Sequence, residues 1–188
     1  MKHKASDKEI LFRLKESDRN AFMAAYDKYI EDIYRFVYFK VSNHDEAEDL
    51  TSQVFLKVWN YIQTNSMGEY KTLKSFLYKV ARNLVIDYYR KNANKNEFSL
   101  SDEAAPIDIK DEKQDPIGEL ELKYDIESLE KNLDKLKTEY REVIIMRYIN
   151  ELDIAEIALI LEKSKGNVRV LIFRALKALR EISAWRLT

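Results

Sequence analysis

A run of basic and aromatic residues near the middle of the chain has the composition of a nucleic-acid-binding surface. Residues 71–95 contain seven Lys or Arg and a single acid, Asp87, which gives a local net charge of +6. Cations bind phosphates, aromatic rings stack on exposed bases, and an amide can pair with a base edge. The residues that combine these chemistries are Lys79, Arg82, Asn83, Tyr88, Arg90 and Lys91. The alternative interpretation is a solvated helix face with ordinary core aromatics.

One helix must position these side chains. The stretch from Ser75 to Asn92 carries apolar residues at three- and four-residue spacing, which is the pattern of a helix with one buried face. That apolar stripe consists of Phe76, Leu77, Val80, Leu84 and Val85. We therefore predict a helix that is half core and half cationic surface. For Asp87 we favour an intrahelical pair with Arg90, Lys91 or Asn83.

A second basic segment closes the chain. Residues 163–188 contain seven Lys or Arg against Glu181, again a net charge of +6. The spacing before it predicts a short helix ending near Leu161, then a turn, then a last helix capped by Ser164. Two helices joined by a tight turn, the second one basic, are typical of a DNA-binding helix-turn-helix. The pattern alone is a weak signal, because paired helices are common.

Acidic residues form two groups of their own. The predicted third helix, begun by Asn43 or Asp45, holds four acids in its first turns, where the helix dipole favours negative charge. Residues 97–127 contain eleven acids and three lysines, a net charge of −8, together with both prolines. We interpret this second group as a linker. It could cover the two basic patches in the free protein, or simply confer solubility.

Composition favours an all-α fold. The 188 residues are 46% hydrophobic, with three Gly and two Pro to interrupt helices. We predict two small helical domains joined by the acidic linker: residues 1–95, a linker over 96–127, and a helix-turn-helix domain over 128–188. The start of the chain lacks an apolar signal core, and no stretch approaches the length of a bilayer span. We therefore expect a cytoplasmic protein without membrane insertion.

Enzyme chemistry finds little support in the sequence. There is no cysteine, which removes thiolate metal sites and thiol nucleophiles, and the only histidines are His3 and His44. A di-iron helical bundle needs carboxylate–histidine pairs on two helices. No phosphate-binding glycine loop is present. We predict no catalytic residue, no metal site and no cofactor.

Three blocks in order resemble extracytoplasmic-function (ECF) sigma factors, a family of the sigma-70 type. Residues 21–39 (AFMAAYDKYIEDIYRFVYF), 45–59 (DEAEDLTSQVFLKVW) and 75–91 (SFLYKVARNLVIDYYRK) look like the promoter-melting domain of that family. Residues 133–161 and 164–181 are similar to its C-terminal helix-turn-helix domain. The extra domains of housekeeping sigma subunits have no room here.

The resemblance implies a bacterial transcription initiation factor with three binding surfaces. The third helix would dock on the β′ clamp helices of RNA polymerase through Glu48, Asp49 and Gln53, of which Gln53 departs from the usual family pattern. The mid-chain helix would bind and melt the minus-10 promoter element through the six residues named above, and the loop from Gln63 to Tyr70 would cradle a flipped base. The last helix would read the minus-35 element through Lys165, Asn167, Arg169, Val170, Arg174 and Lys177. Leu171 and Phe173 would either contact thymine methyls or pack on the domain.

The resemblance also implies partners: the polymerase core, including its β flap, promoter DNA, and an anti-sigma factor. Two other classes stay open on the residues alone. A helix-turn-helix regulator that is not a polymerase subunit explains the C-terminal half but leaves the other helices without a function. A helical module that binds only proteins, for instance through Trp59, predicts no specific DNA binding.

Overall fold

The computed structural model describes residues 7–64, 72–93 and 126–184. Every regular element in these ranges is helical, which confirms the predicted all-α class. The helices are α1 (Asp7–Lys15), α2 (Arg19–Val41), α3 (His44–Thr64), α4 (Leu73–Ala93), α5 (Ile126–Leu133), α6 (Thr138–Ile144), α7 (Ile154–Leu161) and α8 (Lys165–Ala184), and α6 continues into a π-helical turn over Ile145–Ile149. No helix in the described ranges is long and apolar enough to cross a membrane.

Side-chain caps set where the first long helices begin. Asp18 precedes α2 and accepts a hydrogen bond from the backbone N–H of Asn20 at 2.8 Å. Asn43 precedes α3 and accepts from the N–H of Glu46 at 3.0 Å. These bonds satisfy amide donors that have no partner inside the helix. The cap predicted for α2 is confirmed, and of the two candidates for α3 the structure selects Asn43.

The apolar faces of α1 to α4 pack together as one core. On α4, Phe76, Leu77, Leu84 and Val85 are buried as predicted, whereas Val80 is half-buried. Tyr78 is also fully buried, with its ring against that of Phe36 at a centroid distance of 5.2 Å. Most aromatic residues of these helices therefore serve the core rather than a base-stacking surface.

Helices α5 to α8 form the second unit. Asp153 begins α7 with a capping box, in which its carboxylate accepts from the N–H of Glu156 at 2.7 Å and Glu156 accepts from the N–H of Asp153 at 2.9 Å. Ser164 caps α8 by accepting from the N–H of Asn167 at 3.1 Å, as predicted. Both helices therefore begin at a side-chain cap. The turn between them runs from Glu162, whose backbone N–H donates to the carbonyl of Ala158, to the Ser164 cap of α8.

Removing the Asp153 cap should destabilise the helix-turn-helix. We expect Asp153→Ala to cost about 1 kcal/mol, because the amide of Glu156 loses its acceptor at the start of α7. The loss would show as a lower midpoint of thermal unfolding by circular dichroism. Asp153→Asn keeps an acceptor at that position and is the matched control; equal losses in both variants would contradict the capping explanation.

Most of the predicted acidic linker lies outside the described residues. Of the loop predicted from Gln63 to Tyr70, Gln63 and Thr64 instead form the end of α3, and the remainder lies outside the described residues. Helix α5 begins at Ile126, just before the predicted domain boundary at residue 128. The two helical units are in direct contact. Arg141 of α6 donates from Nε to the backbone carbonyl of Phe39 at 2.8 Å, and Asn150 donates to the carbonyl of Asp32 at 2.8 Å.

Candidate polymerase and nucleic-acid interfaces

The outer face of α3 presents the predicted acidic group. Glu48 and Asp49 are exposed, and Gln53 is half-buried. Gln53 donates from Nε2 to the carboxylate of Asp49 at 2.8 Å, a bond across one helical turn. Asp49 and Gln53 therefore share a face, as their four-residue spacing implies, and Glu48 points elsewhere on the same exposed side.

An exposed leucine adjoins this acidic face. The buried stripe of α3 runs through Ala47, Leu50, Val54 and Val58, and Leu56 falls outside it. Its side chain is 58% exposed, three residues beyond Gln53. An apolar side chain within a charged face is typical of a protein-binding surface. Its position outside the apolar stripe could have identified Leu56 from the sequence, but the sequence analysis assigned it no role.

The predicted minus-10 residues of α4 fall into two groups. Asn83, Arg90 and Lys91 are exposed, and Tyr88 is half-buried beside Tyr89. Lys79 and Arg82 instead face the C-terminal unit, where Lys79 pairs with Glu162 and Arg82 Nε donates to Glu142 at 3.0 Å. Arg90 lies 4.0 Å from Asp87, which agrees with the predicted intrahelical pair. The structure thus does not bring all six side chains to one open surface.

Glu142 is the electrostatic centre of the contact between the two units. Its other carboxylate oxygen binds Lys40 Nζ at 2.5 Å, and both side chains are 4% exposed. Burial opposes ionisation of Glu142, but Lys40 and Arg82 together outweigh it and hold its pKa below the ordinary value. The carboxylate is therefore charged at neutral pH. The neighbouring Lys79 ammonium, through its hydrogen bond, also lowers the pKa of Glu162.

A cleft opens between the C-terminal half of α3 and the middle of α4. Its volume is about 440 Å³, and its floor is apolar while its rim carries amide, hydroxyl and ammonium groups. Such a mixture can enclose a flat aromatic ring and bind its polar edge. The cleft extends to Thr64, the last residue of α3. The lining residues are Lys57, Asn60, Tyr61, Thr64, Phe76, Val80 and Asn83. Of these, sequence reasoning assigned a DNA role to Asn83 alone.

The predicted minus-35 residues of α8 differ in exposure and do not all share one face of the helix. Lys165, Asn167, Arg169 and Lys177 are exposed, whereas Val170 and Arg174 are half-buried. Lys165, Arg169 and Lys177 belong to one row with four-residue steps, so they lie along a continuous strip of surface. A cationic strip on the second helix of a helix-turn-helix is suited to enter a DNA groove.

Phe173 completes that strip. It occupies the remaining position of the four-residue row and is 58% exposed, whereas its neighbour Leu171 packs against the core. The sequence did not decide whether Leu171 and Phe173 contact DNA or pack on the domain, and the structure gives the two side chains different environments. Leu171 is structural, and Phe173 presents an aromatic ring among the cations.

Two solved structures share this fold. The structure of CnrH in complex with the cytosolic domain of CnrY superposes with a TM-score of 0.70 at 17% identity, covering 95% of this chain and 97% of that one. The sigma factor RpoE, in complex with the anti-sigma factor NepR from Bartonella quintana, gives a TM-score of 0.63 at 24% identity and covers 87% and 96%. These likenesses concern the arrangement of helices.

Sequence comparisons identify the family. Residues 25–95 match the Sigma-70 region 2 family and residues 126–179 match the Sigma-70 region 4 family. The ECF RNA polymerase sigma factor SigW of Bacillus subtilis is 31% identical over 184 residues, which cover 93% of this chain and 95% of SigW. SigM of the same organism is 31% identical over 157 residues, covering 84% and 91%. The chain belongs to the ECF RNA polymerase sigma factors, and it acts in transcription initiation rather than as a helix-turn-helix regulator outside the polymerase.

Proposed function

We propose that this sigma factor uses three surfaces in transcription initiation: α3 binds RNA polymerase, α4 binds the minus-10 promoter element and α8 binds the minus-35 element. The separation of exposed charges supports this division most. The exposed acids predicted to bind polymerase lie on α3, whereas the exposed cations predicted to bind DNA lie on α4 and α8. Each surface can therefore engage a different target at the same time. The protein contributes binding free energy and no covalent step, and it works in the cytoplasm, where bacterial RNA polymerase acts.

The α3 surface binds the β′ clamp helices of the polymerase core in this proposal. Glu48 and Asp49 supply negative charge, which steers and orients a basic partner. Leu56 supplies an apolar contact that becomes buried when the complex forms. Gln53 holds the Asp49 carboxylate through its 2.8 Å hydrogen bond. An apolar contact beside steering charges is a common composition for a stable interface.

A second polymerase contact fits the C-terminal unit. A groove of about 480 Å³ runs between the start of α6 and the end of α8, lined by Leu136, Tyr140 and Ile182 with Lys135 and Lys137 at its edge. We assign this groove to the β flap, whose apolar segment would bury the groove floor. Two polymerase contacts on the two units would hold α4 and α8 apart at the spacing of the promoter elements.

The α4 surface melts the minus-10 element by binding the separated strand. Flipping one base out of a duplex costs about a few kcal/mol of free energy. One stacking contact with the flipped base contributes about 1–3 kcal/mol, which is of the same order. One pocket alone therefore cannot open a bubble. The cleft beside Asn83 would take the flipped base, while Arg90 and Lys91 bind phosphates of the same strand.

Loss of the exposed minus-10 contacts should lower melting without affecting polymerase binding. We expect Asn83→Ala combined with Arg90→Ala to reduce open-complex formation about tenfold, since a polar contact and a charge-assisted contact are lost. Permanganate footprinting measures the melted thymines, and pull-down with core polymerase checks assembly. Arg19→Ala removes an exposed cation at the start of α2 and is the control. Normal melting by the double variant would exclude this surface from the minus-10 role.

The α8 surface reads the minus-35 element in the major groove. Arg or Lys on guanine and Asn on adenine are the pairings expected of Arg169, Lys165 and Asn167. Phe173 would contact thymine methyls beside them. Lys177, further along the row, binds phosphate and contributes affinity without sequence information.

We also propose an anti-sigma protein as a regulatory partner of this chain. CnrH and RpoE, which share its fold, occur in complexes with CnrY and with the anti-sigma factor NepR. Such a partner would cover one or more of the three surfaces. Co-purification of the tagged chain from its own cells, compared with an Asp49→Arg variant, would show whether an anti-sigma protein competes for the α3 face.

A further inference from the structure

The side chain of Gln63 joins the last turn of α3 to the end of α1 and to the turn that follows α1. Gln63 donates from Nε2 to the backbone carbonyl of Leu14 at 3.1 Å, and its Oε1 accepts from the hydroxyl of Ser17. The two partners lie 49 and 46 residues before Gln63 in the sequence. Both polar atoms of the amide therefore connect distant parts of the chain.

Ser17 makes this contact from an unfavourable backbone conformation. Its φ is 59°, in the left-handed region that residues other than Gly and Asn rarely occupy. The N–H of Ser17 donates to the carbonyl of Leu14 at 3.1 Å, which closes the turn. Glycine would adopt this conformation without strain, but it has no hydroxyl to donate. Serine thus keeps the bond to Gln63 at some cost to the stability of the turn.

The part of α3 that Gln63 holds is also one wall of the cleft between α3 and α4. Four residues in the last two turns of α3 line that cleft: Lys57, Asn60, Tyr61 and Thr64. Successive side chains differ by about 100° around a helix, so Gln63 reaches α1 while its neighbour Thr64 lines the cleft. The hydroxyl of Thr64 donates to the carbonyls of Asn60 and Tyr61 at 3.0 and 3.3 Å, which secures the final turn. A shift of this turn relative to α1 would therefore move the lining of the cleft.

We propose that Gln63 is a positioning residue for base recognition, which holds the α3 wall of the cleft at the distance from α4 that fits one flipped base. This inference rests on the proposed minus-10 function of that cleft. Gln63 does not contact the base in this arrangement, and the base contacts come from the cleft residues, among them Asn83. Helix ends fray more readily than helix centres, and a misplacement of about 1 Å is enough to weaken a directional contact. The bonds to Leu14 and Ser17 restrain the end of α3 against such a shift.

The attachment of α1 to Gln63 differs from the attachment at the other end of α1. At the start of that helix, the carboxylate of Asp7 binds Lys28 Nζ at 2.6 Å and accepts from the hydroxyl of Tyr29. Both of these partners belong to α2, so this attachment does not involve α3. Gln63 is exposed, and a hydrogen bond near water gives little net stability because it replaces bonds to water. Loss of the Gln63 bonds should therefore affect the cleft more than the stability of the fold.

The test measures the base preference of holoenzyme along a bound single strand. Core polymerase carrying the full chain selects strands from a random-sequence DNA pool of about 12 nucleotides, and sequencing of the bound strands gives the preference at each position. Asn83→Ala marks the position that the cleft reads. Gln63→Leu removes both bonds at similar side-chain volume, and Ser17→Gly removes one bond while relaxing the turn. Asp7→Asn is the matched control, because it breaks the ion pair at the other end of α1.

We expect Gln63→Leu to lower the preference for the best base by about tenfold at the position marked by Asn83→Ala, which is the size of one lost hydrogen bond. Other positions and binding to core polymerase should not change. Ser17→Gly should lower the same preference about threefold without lowering the midpoint of thermal unfolding, a combination that a merely structural role does not produce. Asp7→Asn should keep the parental preference. Parental preference in either Gln63→Leu or Ser17→Gly would overturn the positioning role, and so would an equal loss in Asp7→Asn.

Failure of the proposed minus-10 function gives a different result in the same experiment. In that case the parent shows no base preference that Asn83→Ala removes, and the positioning role falls together with the function of the cleft. If Asn83→Ala removes a preference that Gln63→Leu keeps, the cleft binds the base and the positioning role alone is wrong. Ser17→Gly keeps the test decisive where Gln63→Leu lowers the midpoint of unfolding, because relaxing the turn does not weaken the fold.

Discussion

Replacing Asp49 by arginine is expected to raise the dissociation constant for core RNA polymerase by about a hundredfold or more. The substitution removes an exposed carboxylate and places a cation against a basic partner, and a like-charge contact in an interface costs several kcal/mol. It also removes the acceptor of the Gln53 hydrogen bond. Fluorescence anisotropy of the labelled sigma factor, titrated with core enzyme, measures the effect directly.

The fold should survive this substitution, because Asp49 is exposed and lies off the buried stripe of α3. Asp27→Arg reverses an exposed acid on α2 of the same unit and is the matched control for net charge. Core binding by the Asp49 variant at the level of the Asp27 variant would remove α3 from the polymerase interface.

The second large effect is expected at Arg169. We predict that Arg169→Ala lowers transcription from promoters that depend on a minus-35 element by about ten- to a hundredfold, which corresponds to the roughly 1–3 kcal/mol of a bidentate base contact. Arg169 is exposed in the first turns of α8 and stands between Lys165 and Phe173 in one row. The variant should lose its base preference at one position of the element and keep it at the others, because a base contact carries sequence information.

Lys177→Ala provides the contrast within the same helix. Loss of its phosphate contact should weaken DNA binding equally for all sequences. It should also lower the number of counterions released on binding, and hence the salt dependence of the affinity, by about one. Competition with minus-35 probes substituted one base at a time, in holoenzyme, separates the two kinds of contact. Uniform loss in the Arg169 variant, without a change in base preference, would contradict direct readout by this residue.

Local features of the fold were predictable from the sequence because they depend on neighbours along the chain. The Asp18 and Ser164 caps and the buried stripes of α3 and α4 follow from residue type and helical spacing. The family resemblance added what local rules cannot supply, namely the function. The sigma-70 family matches agree with it.

Long-range features were not predictable in this way. Lys40 and Glu142 are 102 residues apart, and nothing in either neighbourhood indicates that they form a buried pair. Lys79 and Arg82 have the residue types of phosphate ligands, yet their contacts depend on how the two units meet. Phe173 and Leu171 have similar local patterns, and only tertiary packing decides that one is exposed and the other is not.

Promoter recognition by RNA polymerase that carries this single chain is tested most directly by single-round transcription. The reaction combines the purified chain and bacterial core enzyme with a library of genomic fragments. We predict transcripts that begin at discrete sites and are absent with core enzyme alone. Initiation no different from that of core enzyme alone, on every fragment, would contradict it.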